Sequence, residues 1–472
     1  MIDFSSLLNE VPECKEYLKV DELNTNSNKL AEENPDIVKI LELGKSTCNE
    51  PIKCLKIGKG KYNALIYGFP NPEEPVGGLM LDHFSNLLAN NRSMLEQLDY
   101  TWYLIKCIDP DGARLNEGFL KGPFNPLHFS KNYYRTPGSF TGEMNFPYKY
   151  GELNIGNPTS ETKALMKLID QTRFDFISSL HNMKFDGMTY QVSEPCPNLY
   201  PSLWQIAKEY NIMLRKRPGR MLAPGVQLNA SLPDVLAGYF TPIQNYIRSK
   251  AAGKGPLREP RGAFVFEYTL LTNPDVFMMI PECCIWYDPR LFDDGPSKKT
   301  LNEVLDYTQN VGSETNKFLF SLYEKSLPLL KDSSPFLEML RQLFGRERER
   351  SINYGDPSVE FNQKQLKSLT TLATEIATEG RADIYRMFNL GAMIRMFDYQ
   401  LSQHNNKKTE LESYRNEANE KLEEWNNIVE KKYERKTVPL KNLICMNMGS
   451  ILYSAEYVKW KRIWDRSYET FG

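Results

Sequence analysis

Four polar side chains of this chain fall where predicted strands end. Asn71 and Glu74 follow one apolar run, and His181 follows another. Glu282 lies within or at the end of a third run. In sheets that are covered by helices, ligands sit where strands end and loops begin. Imidazole and carboxylate groups at such an edge could bind a metal ion or move a proton, although a histidine in this place more often has a structural role.

The elements that must position these residues alternate between two patterns. Short runs rich in β-branched, aromatic and aliphatic residues predict strands. Between the runs, apolar residues recur at helical spacing, as in residues 79–88 and 164–169. This alternation predicts an α/β sheet with helices on both faces. The predicted strands are 53–57, 62–69, 101–108, 174–181, 187–193, 263–270 and 276–284.

Five segments resemble the zinc carboxypeptidase family in their order and spacing. Gly68–Gly77 contains Asn-x-x-Glu, where the family has His-x-x-Glu. Ile108–Gly112 is similar to the family's Asn-Pro-Asp-Gly turn, and Ser160–Leu165 to its Pro-Glu-Thr-x-Ala-Leu helix start. Phe176–Asn182 resembles the strand end Ser-Leu-His-Asn, and Ile280–Arg290 the segment that carries the general base.

This resemblance implies a mixed, mainly parallel central sheet flanked by helices, and a single metal-bound water that attacks an amide. Glu74 and His181 match two zinc ligands, and Asn71 stands at the third. Glu282 matches the general base. Glu267 is the competing base, but the Trp-Tyr-Asp-Pro-Arg sequence of the family segment does not follow it. The implied cofactor is zinc, weakly bound, or another divalent metal, because an amide oxygen is a weak zinc ligand.

The replacement of an imidazole by Asn71 leaves three arrangements open. The site could be empty, or it could hold a metal through Asn71, Glu74 and His181 together with waters. Alternatively, another side chain supplies the missing ligand. His128, in a loop that the family places near the substrate cleft, is the first candidate, although a surface or packing role is commoner for such a histidine.

Two arginines are the predicted substrate-binding groups. The family binds a terminal carboxylate through arginine, whose planar guanidinium can donate two parallel hydrogen bonds. Arg135 and Arg114 occupy the interval where the resemblance places such arginines, and Arg135 is preferred. The aromatic hydroxyl that caps the substrate would come from the segment before Glu282. Its candidates are Tyr190, Tyr200, Tyr239 and Tyr246.

Composition narrows the expected partners and compartment. The 472 residues carry a net charge of -2, which provides no long-range field to attract nucleic acid or an anionic membrane. The sequence has no 18-residue apolar stretch and does not open with a signal peptide, so we predict no membrane span. Its eight cysteines lack regular spacing. Together these features predict a cytoplasmic location.

The length of the chain and its changes in residue pattern divide it into three predicted parts. Residues 1–35 form an N-terminal helical extension, 36–295 a zinc carboxypeptidase-like domain, and 296–472 a mainly helical C-terminal region. Within the last part, residues 407–436 are nearly all charged or amide residues. They favour a solvated helical arm over a packed helix pair. The helical region is also the candidate surface for oligomerisation or for a partner.

Two functions follow from these residues. The leading prediction is a metallocarboxypeptidase-like hydrolase with an altered metal shell, acting on a peptide or a small amide-linked amino compound. The presence of Glu74, His181 and Glu282 favours it. The alternative is an inactive pseudo-carboxypeptidase that serves as a peptide-binding or assembly module. Asn71 and the large helical region favour that alternative.

Overall fold

A mixed sheet carries the strand ends described above. The computed structural model describes residues 2, 4–138, 141–215, 226–228, 233–235, 242–251, 253, 260–347, 366–403 and 408–471. The strands are β1 (Val38–Lys45), β2 (Pro51–Ile57), β3 (Tyr62–Tyr67), β4 (Tyr100–Ile105), β5 (Tyr148–Tyr150), β6 (Leu153–Ile155), β7 (Phe176–Ser179), β8 (His181–Phe185), β9 (Thr189–Val192), β10 (Val226–Leu228), β11 (Pro233–Val235), β12 (Phe277–Tyr287), β13 (Pro296–Thr300), β14 (Leu369–Thr371) and β15 (Lys436–Thr437).

The order of strands across this sheet is β1-β2-β4-β3-β7-β12-β9-β10-β11, and β8 and β15 also pair with β12. The central strands β4, β3, β7 and β12 are parallel neighbours. The outer strands β1, β2 and β9 join them in antiparallel pairs. The predicted α/β fold with a mixed, mainly parallel central sheet is therefore confirmed.

Strand β3 shows how the sequence produces this arrangement. Ala64 and Ile66 belong to the apolar core on one face of the sheet. Leu65 and Tyr67 belong to the separate core on the other face. Successive side chains of a strand point to opposite faces, so a continuous apolar run must be covered on both sides. All four side chains are fully buried.

Helices provide the cover on both faces. The α-helices are α1 (Phe4–Asn9), α2 (Val20–Glu33), α3 (Val76–Asn90), α4 (Arg92–Leu98), α5 (Pro110–Leu115), α6 (Pro126–Lys131), α7 (Ser160–Ile169), α8 (Tyr200–Glu209), α9 (Pro242–Ala251), α10 (Val265–Thr269), α11 (Leu301–Ser326), α12 (Pro335–Glu347), α13 (Leu372–Gln403), α14 (Lys408–Lys432) and α15 (Leu440–Phe471). Helices α3 and α15 pack on the face of Ala64, and α7 and α10 on the face of Leu65. No described helix is long and apolar enough to cross a membrane.

The C-terminal helices pack directly on the sheet part of the chain. Helix α13 contacts α6, α11, α14 and strand β8. At Gly391 the backbone of α13 touches that of α6, because an added Cβ would lie 1.8 Å from the carbonyl oxygen of Ser130. Apolar residues of both parts belong to one continuous core.

Helix α14 corrects one prediction. Its apolar residues Leu411, Ala418, Leu422, Trp425 and Val429 are buried. They recur every three, four or seven positions and therefore form one narrow stripe along the helix. Arg386 of α13 lies 4.8 Å from the ring centroid of Trp425. The predicted solvated arm is wrong, because a narrow stripe between charged residues is sufficient for packing.

Residues 263–270 correct a second prediction, since they contain helix α10 and no strand. The Glu267 carboxylate accepts hydrogen bonds from the backbone N–H groups of Phe264, at 3.3 Å, and Ile243, at 3.0 Å. A short apolar run does not distinguish a strand from a buried helical turn. Glu267 therefore caps a helix, and its predicted role as the competing base has no geometric support.

Candidate functional site

The loop after β3 places Asn71 and Glu74 at the carboxyl end of the sheet. Phe69 turns the chain with a φ of 53°, and the Glu74 N–H donates to the Asn71 carbonyl oxygen at 3.1 Å. Helix α3 then begins close to the neighbouring strand. Gly77 permits this approach, because an added Cβ would lie 2.7 Å from Cβ of Leu180.

His181 reaches the same place from the adjacent strand. Strand β7 pairs in parallel with β3 and ends at Ser179, and His181 opens β8. Strand β8 pairs with β12, where the register partner of His181 is Glu282. Because parallel neighbours end at one edge of the sheet, the two sequence motifs meet there.

The side chains of Asn71, Glu74 and His181 are in mutual contact. The Asn71 Nδ2 atom lies 3.1 Å from Glu74 Oε1 and 3.1 Å from His181 Nδ1. His181 Nδ1 lies 2.9 Å from Glu74 Oε2, and all three side chains are buried. The predicted convergence of these residues is confirmed. Their service as metal ligands stays a prediction.

Asn71, Glu74 and His181 form a buried polar cluster. Glu143 also belongs to this cluster, although the sequence analysis did not identify it. Its Oε1 atom lies 3.1 Å from His181 Nε2, although the ring N–H is not aimed for a good hydrogen bond. Its Oε2 atom accepts from the hydroxyls of Tyr67, at 3.0 Å, and Ser179, at 2.8 Å. No sequence motif marks Glu143. Its place in the site is seen only in the structure, where the last residues of β3 and β7, Tyr67 and Ser179, donate their hydroxyls to it.

Two cations also enter the cluster. Arg135 Nη1 forms an ion pair with Glu73 and lies 3.8 Å from Glu74 Oε1. Lys184, a buried residue of β8, places Nζ 3.9 Å from Glu74 Oε1 and 4.0 Å from Glu73 Oε1. Arg135 was predicted at the site from the sequence. Glu73 and Lys184 were not, although both stand within a few residues of a predicted ligand.

These charges compensate one another. Burial alone would lower the pKa of His181, but Glu143 and Glu74 hold that pKa well above its usual value. Burial would raise the pKa of Glu74, but His181 and Lys184 lower it. The same holds for Glu143, whose pKa is lowered by His181. The carboxylates of Glu73, Glu74 and Glu143 therefore face the imidazolium of His181, the ammonium of Lys184 and the guanidinium of Arg135.

Glu282 lies beside this cluster, and its pKa is shifted in the opposite direction to the pKa values of Glu74 and Glu143. Burial raises its pKa, and the negative charge of Glu74 adds to that effect. Its Oε1 atom accepts a hydrogen bond of 3.3 Å from Gln191 Nε2. Glu282 is thus a weaker acid than an ordinary glutamic acid side chain, because its pKa is raised, and it lies next to His181. This environment is suited to proton transfer, but its role as general base stays a prediction.

Two other predicted residues have their contacts elsewhere. Arg114 Nε lies 2.6 Å from Glu50 Oε1, and Nη2 lies 2.7 Å from Asp21 Oδ1. His128 Nε2 lies 3.1 Å from the Gly118 carbonyl oxygen. Neither side chain joins the cluster. The structure therefore offers no support for Arg114 as a carboxylate-binding group or for His128 as a substitute ligand.

The described tyrosines that were predicted to cap the substrate also make their contacts away from the cluster. Tyr190 is fully buried, and its hydroxyl lies 2.9 Å from Ser450 Oγ. The Tyr200 hydroxyl accepts from the Cys196 N–H at 3.0 Å. Tyr246 lies on α9, and Tyr239 lies outside the described residues. None of the three described hydroxyls has a hydrogen bond to the cluster.

The sequence itself matches a family model. Residues 24–223 match the model of the zinc carboxypeptidase family. The match covers 200 of the 472 residues, and it relates this part of the chain to the zinc carboxypeptidase family. The match includes Asn71, Glu74 and His181, and it ends before Glu282. No curated protein matches the chain.

Solved carboxypeptidase structures are similar to parts of the chain. Bovine thrombin-activatable fibrinolysis inhibitor is 15% identical, with 42% of this chain and 71% of that chain covered and a TM-score of 0.31. Carboxypeptidase A of Helicoverpa armigera is 15% identical, with 44% and 58% covered and a TM-score of 0.32. A metallo-carboxypeptidase of Burkholderia cenocepacia is 14% identical, with 41% and 51% covered and a TM-score of 0.30. At these TM-scores the family assignment rests on the sequence match alone.

The residues present do not fit the family's catalytic zinc. In this arrangement the Asn71 atom that donates to Glu74 is the amide nitrogen, which cannot bind a metal. Two cations, Lys184 and Arg135, lie within 4 Å of Glu74 Oε1 and would repel a metal ion. Among the described residues, no group of three or more His, Cys, Asp or Glu side chains is arranged to hold one.

The turn at Asp109 lies near the site and leads to a prediction about pH. Its Oδ1 accepts from the Gly112 N–H at 2.8 Å, and its Oδ2 from Thr136 Oγ1 at 2.5 Å. Burial raises its pKa from 3.8 to about 7, and the nearby carboxylates of Glu161 and Asp111 add to the shift. The family resemblance has a neutral Asn at this position.

We expect Asp109→Asn to remove a loss of stability that the native chain shows on raising the pH. Between pH 3.8 and about 7 the folded state binds the proton and the unfolded state does not, so stability falls as pH rises. Each unit in this window costs at most about 1.4 kcal/mol. Urea unfolding at pH 5 and pH 8 measures the difference, with Asp306→Asn, a substitution at an exposed residue of α11, as the control. Identical pH slopes for Asp109→Asn and the native chain would contradict this account.

Proposed function

We propose that this protein is a pseudo-carboxypeptidase that binds the terminal carboxylate of a peptide or of a small amide-linked amino compound without hydrolysing it. The observation that carries the proposal is the closed cluster of charges at the metal position. Lys184 and Arg135 supply the positive charge that a zinc ion supplies in the family. A site that is neutralised from within has little affinity for a divalent cation.

Arg135 supports the binding part of the proposal. Its side chain is 46% exposed, whereas that of its partner Glu73 is 1% exposed. The guanidinium therefore lies at the solvent-exposed edge of the cluster, where its Nη1 atom pairs with Glu73 and the side chain is partly open to solvent. Its described contacts to Glu73 and Glu74 both use Nη1. A planar guanidinium held in this way can donate further hydrogen bonds to a ligand carboxylate.

The first measurements are metal content and carboxylate recognition. Protein purified without chelator should contain substoichiometric zinc. In calorimetry, a peptide with a free C-terminus should bind about 10- to 100-fold more tightly than its C-terminal amide, as expected for hydrogen bonds to a charged group. Arg135→Gln should remove most of that difference. The matched control is Arg415→Gln, because Arg415 is a partly exposed arginine that pairs with Asp398 away from the cluster.

Two results would contradict the proposal. One equivalent of zinc in the purified protein, together with chelator-sensitive hydrolysis of acylated peptides, would make the chain an enzyme. Equal affinity for the free and amidated peptides would exclude recognition of the terminal carboxylate. Thermal unfolding of each variant shows whether a loss of binding reflects a loss of folding.

A metallocarboxypeptidase-like hydrolase with an altered metal shell is the second candidate. The arrangement of His181 favours it, because Glu143 stands behind one ring nitrogen while the other faces Glu74 and Asn71. Histidines that bind metals commonly have a carboxylate behind them in this way. For this candidate, Glu282→Gln should abolish turnover of a peptide substrate and leave substrate affinity nearly unchanged.

A further inference from the structure

Helix α13 brings two polar side chains of the C-terminal region to the site. Its backbone approaches β8 at Gly380, where an added Cβ would lie 2.4 Å from the ring of Phe185. Five positions further along the helix, the Tyr385 hydroxyl accepts a hydrogen bond of 3.0 Å from the Lys184 N–H. Arg381 lies on the same helix face, four positions before Tyr385.

Both side chains interact electrostatically with Glu282. Burial lowers the pKa of the Arg381 guanidinium, but Tyr385, Asp186 and Glu282 raise it overall. Glu282 itself is influenced by Glu74 of the cluster. Lys184 connects the cluster to helix α13 directly, because its Nζ lies 3.9 Å from Glu74 Oε1 and its N–H donates to the Tyr385 hydroxyl.

The Tyr385 hydroxyl retains a proton that it can donate. Burial raises its pKa to about 12, so the phenol is neutral at physiological pH. In the described part of the chain this oxygen accepts from Lys184 N–H and donates to no acceptor. The Tyr385 residue as a whole is only partly buried.

Arg381 retains hydrogen-bonding capacity as well. Its Nη1 atom lies 3.8 Å from Asp186 Oδ2, which is too long for a hydrogen bond. Its guanidinium lies 5.7 Å from the ring centroid of Tyr385, and its side chain is 37% exposed. An arginine placed over an aromatic ring keeps its donor edge available for a planar anion.

We infer that Arg381 and Tyr385 form a second carboxylate-binding position, so that the ligand is a peptide or amide-linked compound whose terminal residue is Asp or Glu. A guanidinium next to a hydroxyl donor is a pair that recognises a carboxylate. This inference rests on the proposed function, in which Arg135 binds the terminal α-carboxylate. It makes helix α13 a wall of the binding site and gives the helical region a role in selecting the ligand.

Calorimetry with three acetylated peptides tests this, the first ending in Glu, the second in Gln, and the third in Glu with an amidated C-terminus. The full-length chain should bind the Glu peptide about 10- to 100-fold more tightly than the Gln peptide. Arg381→Gln should abolish that preference and leave affinity for the Gln peptide unchanged. Tyr385→Phe keeps the ring and should reduce the preference by about 3- to 10-fold. Arg415→Gln is the control on helix α14.

The outcomes separate this inference from the proposed function. If the native protein prefers the free to the amidated C-terminus but binds Glu and Gln peptides equally, the second position is refuted and the proposed function stands. The second position is also refuted if the Arg381→Gln variant keeps its preference for the Glu peptide, or if it binds the Glu and Gln peptides more weakly by the same factor. If the native protein does not distinguish the amidated peptide, the proposed function fails and the inference fails with it.

Discussion

Asn71→His should raise the zinc affinity of this protein by more than about 100-fold. Even outer-shell partners of a metal site are worth roughly 10- to 100-fold in affinity, and the substitution supplies a direct ligand. It also removes the amide NH2 group that donates to Glu74 at 3.1 Å. The new imidazole would join Glu74 and His181 in the family's ligand set. Titration calorimetry with zinc on both proteins measures the change.

A second variant tests whether the positive charge of Lys184 weakens zinc binding. Lys184 Nζ lies 3.9 Å from Glu74 Oε1 and opposes a metal ion there, so Asn71→His combined with Lys184→Met should bind zinc more tightly than Asn71→His alone. Asn71→Gln is the matched control, because it keeps an amide and should gain no affinity. Equal, tight zinc binding by the native protein and Asn71→His would show that the native site already has a full set of ligands, and no zinc binding by either would show that the imidazole is not sufficient.

The sequence allowed the sheet and the meeting of Asn71, Glu74 and His181 to be predicted. The reason is local, since the apolar runs before these residues are strands and parallel strands end together. The end of a strand determines where the residues that directly follow it lie, so a motif at that point can be placed from the sequence. The registration of His181 opposite Glu282 follows in the same way from two adjacent strands.

The other members of the site come from long-range contacts that no local pattern records. Glu143 reaches His181 from a separate segment, and Tyr385 reaches Lys184 across 201 positions of sequence. Glu73 was within the motif, but the pattern of ligand types gave it no role. Its importance appears only when Arg135 is seen beside it.

The errors in secondary structure have the same origin. Residues 263–270 have the composition of a strand, but the Glu267 carboxylate caps the start of α10 at the Phe264 N–H and also accepts from the Ile243 N–H of α9. Residues of α14 are mostly charged, but the few apolar ones lie on one side and find a partner in α13. In both cases tertiary contacts outweigh local preference.

Lys184→Met should destabilise the protein by about 3–5 kcal/mol, the usual effect of removing one partner from buried charges. Lys184 Nζ is the buried cation near both Glu73 and Glu74, and it also donates to the Asn182 carbonyl oxygen at 3.1 Å. Without it, Arg135 and His181 must compensate three buried carboxylates. Urea unfolding of the native protein and the variant measures the loss.

Two further variants make this result specific to charge compensation. Lys131→Met removes an exposed lysine that pairs with Glu423 at 2.7 Å, and it should change stability by only about 0–1 kcal/mol. Adding Glu73→Gln to Lys184→Met should restore part of the lost stability, because it removes one of the uncompensated carboxylates. If Lys184→Met is as stable as Lys131→Met, the carboxylates do not depend on Lys184. The cluster would then need a cation from outside the chain, and a metal ion at Glu74 would become the better explanation of the site.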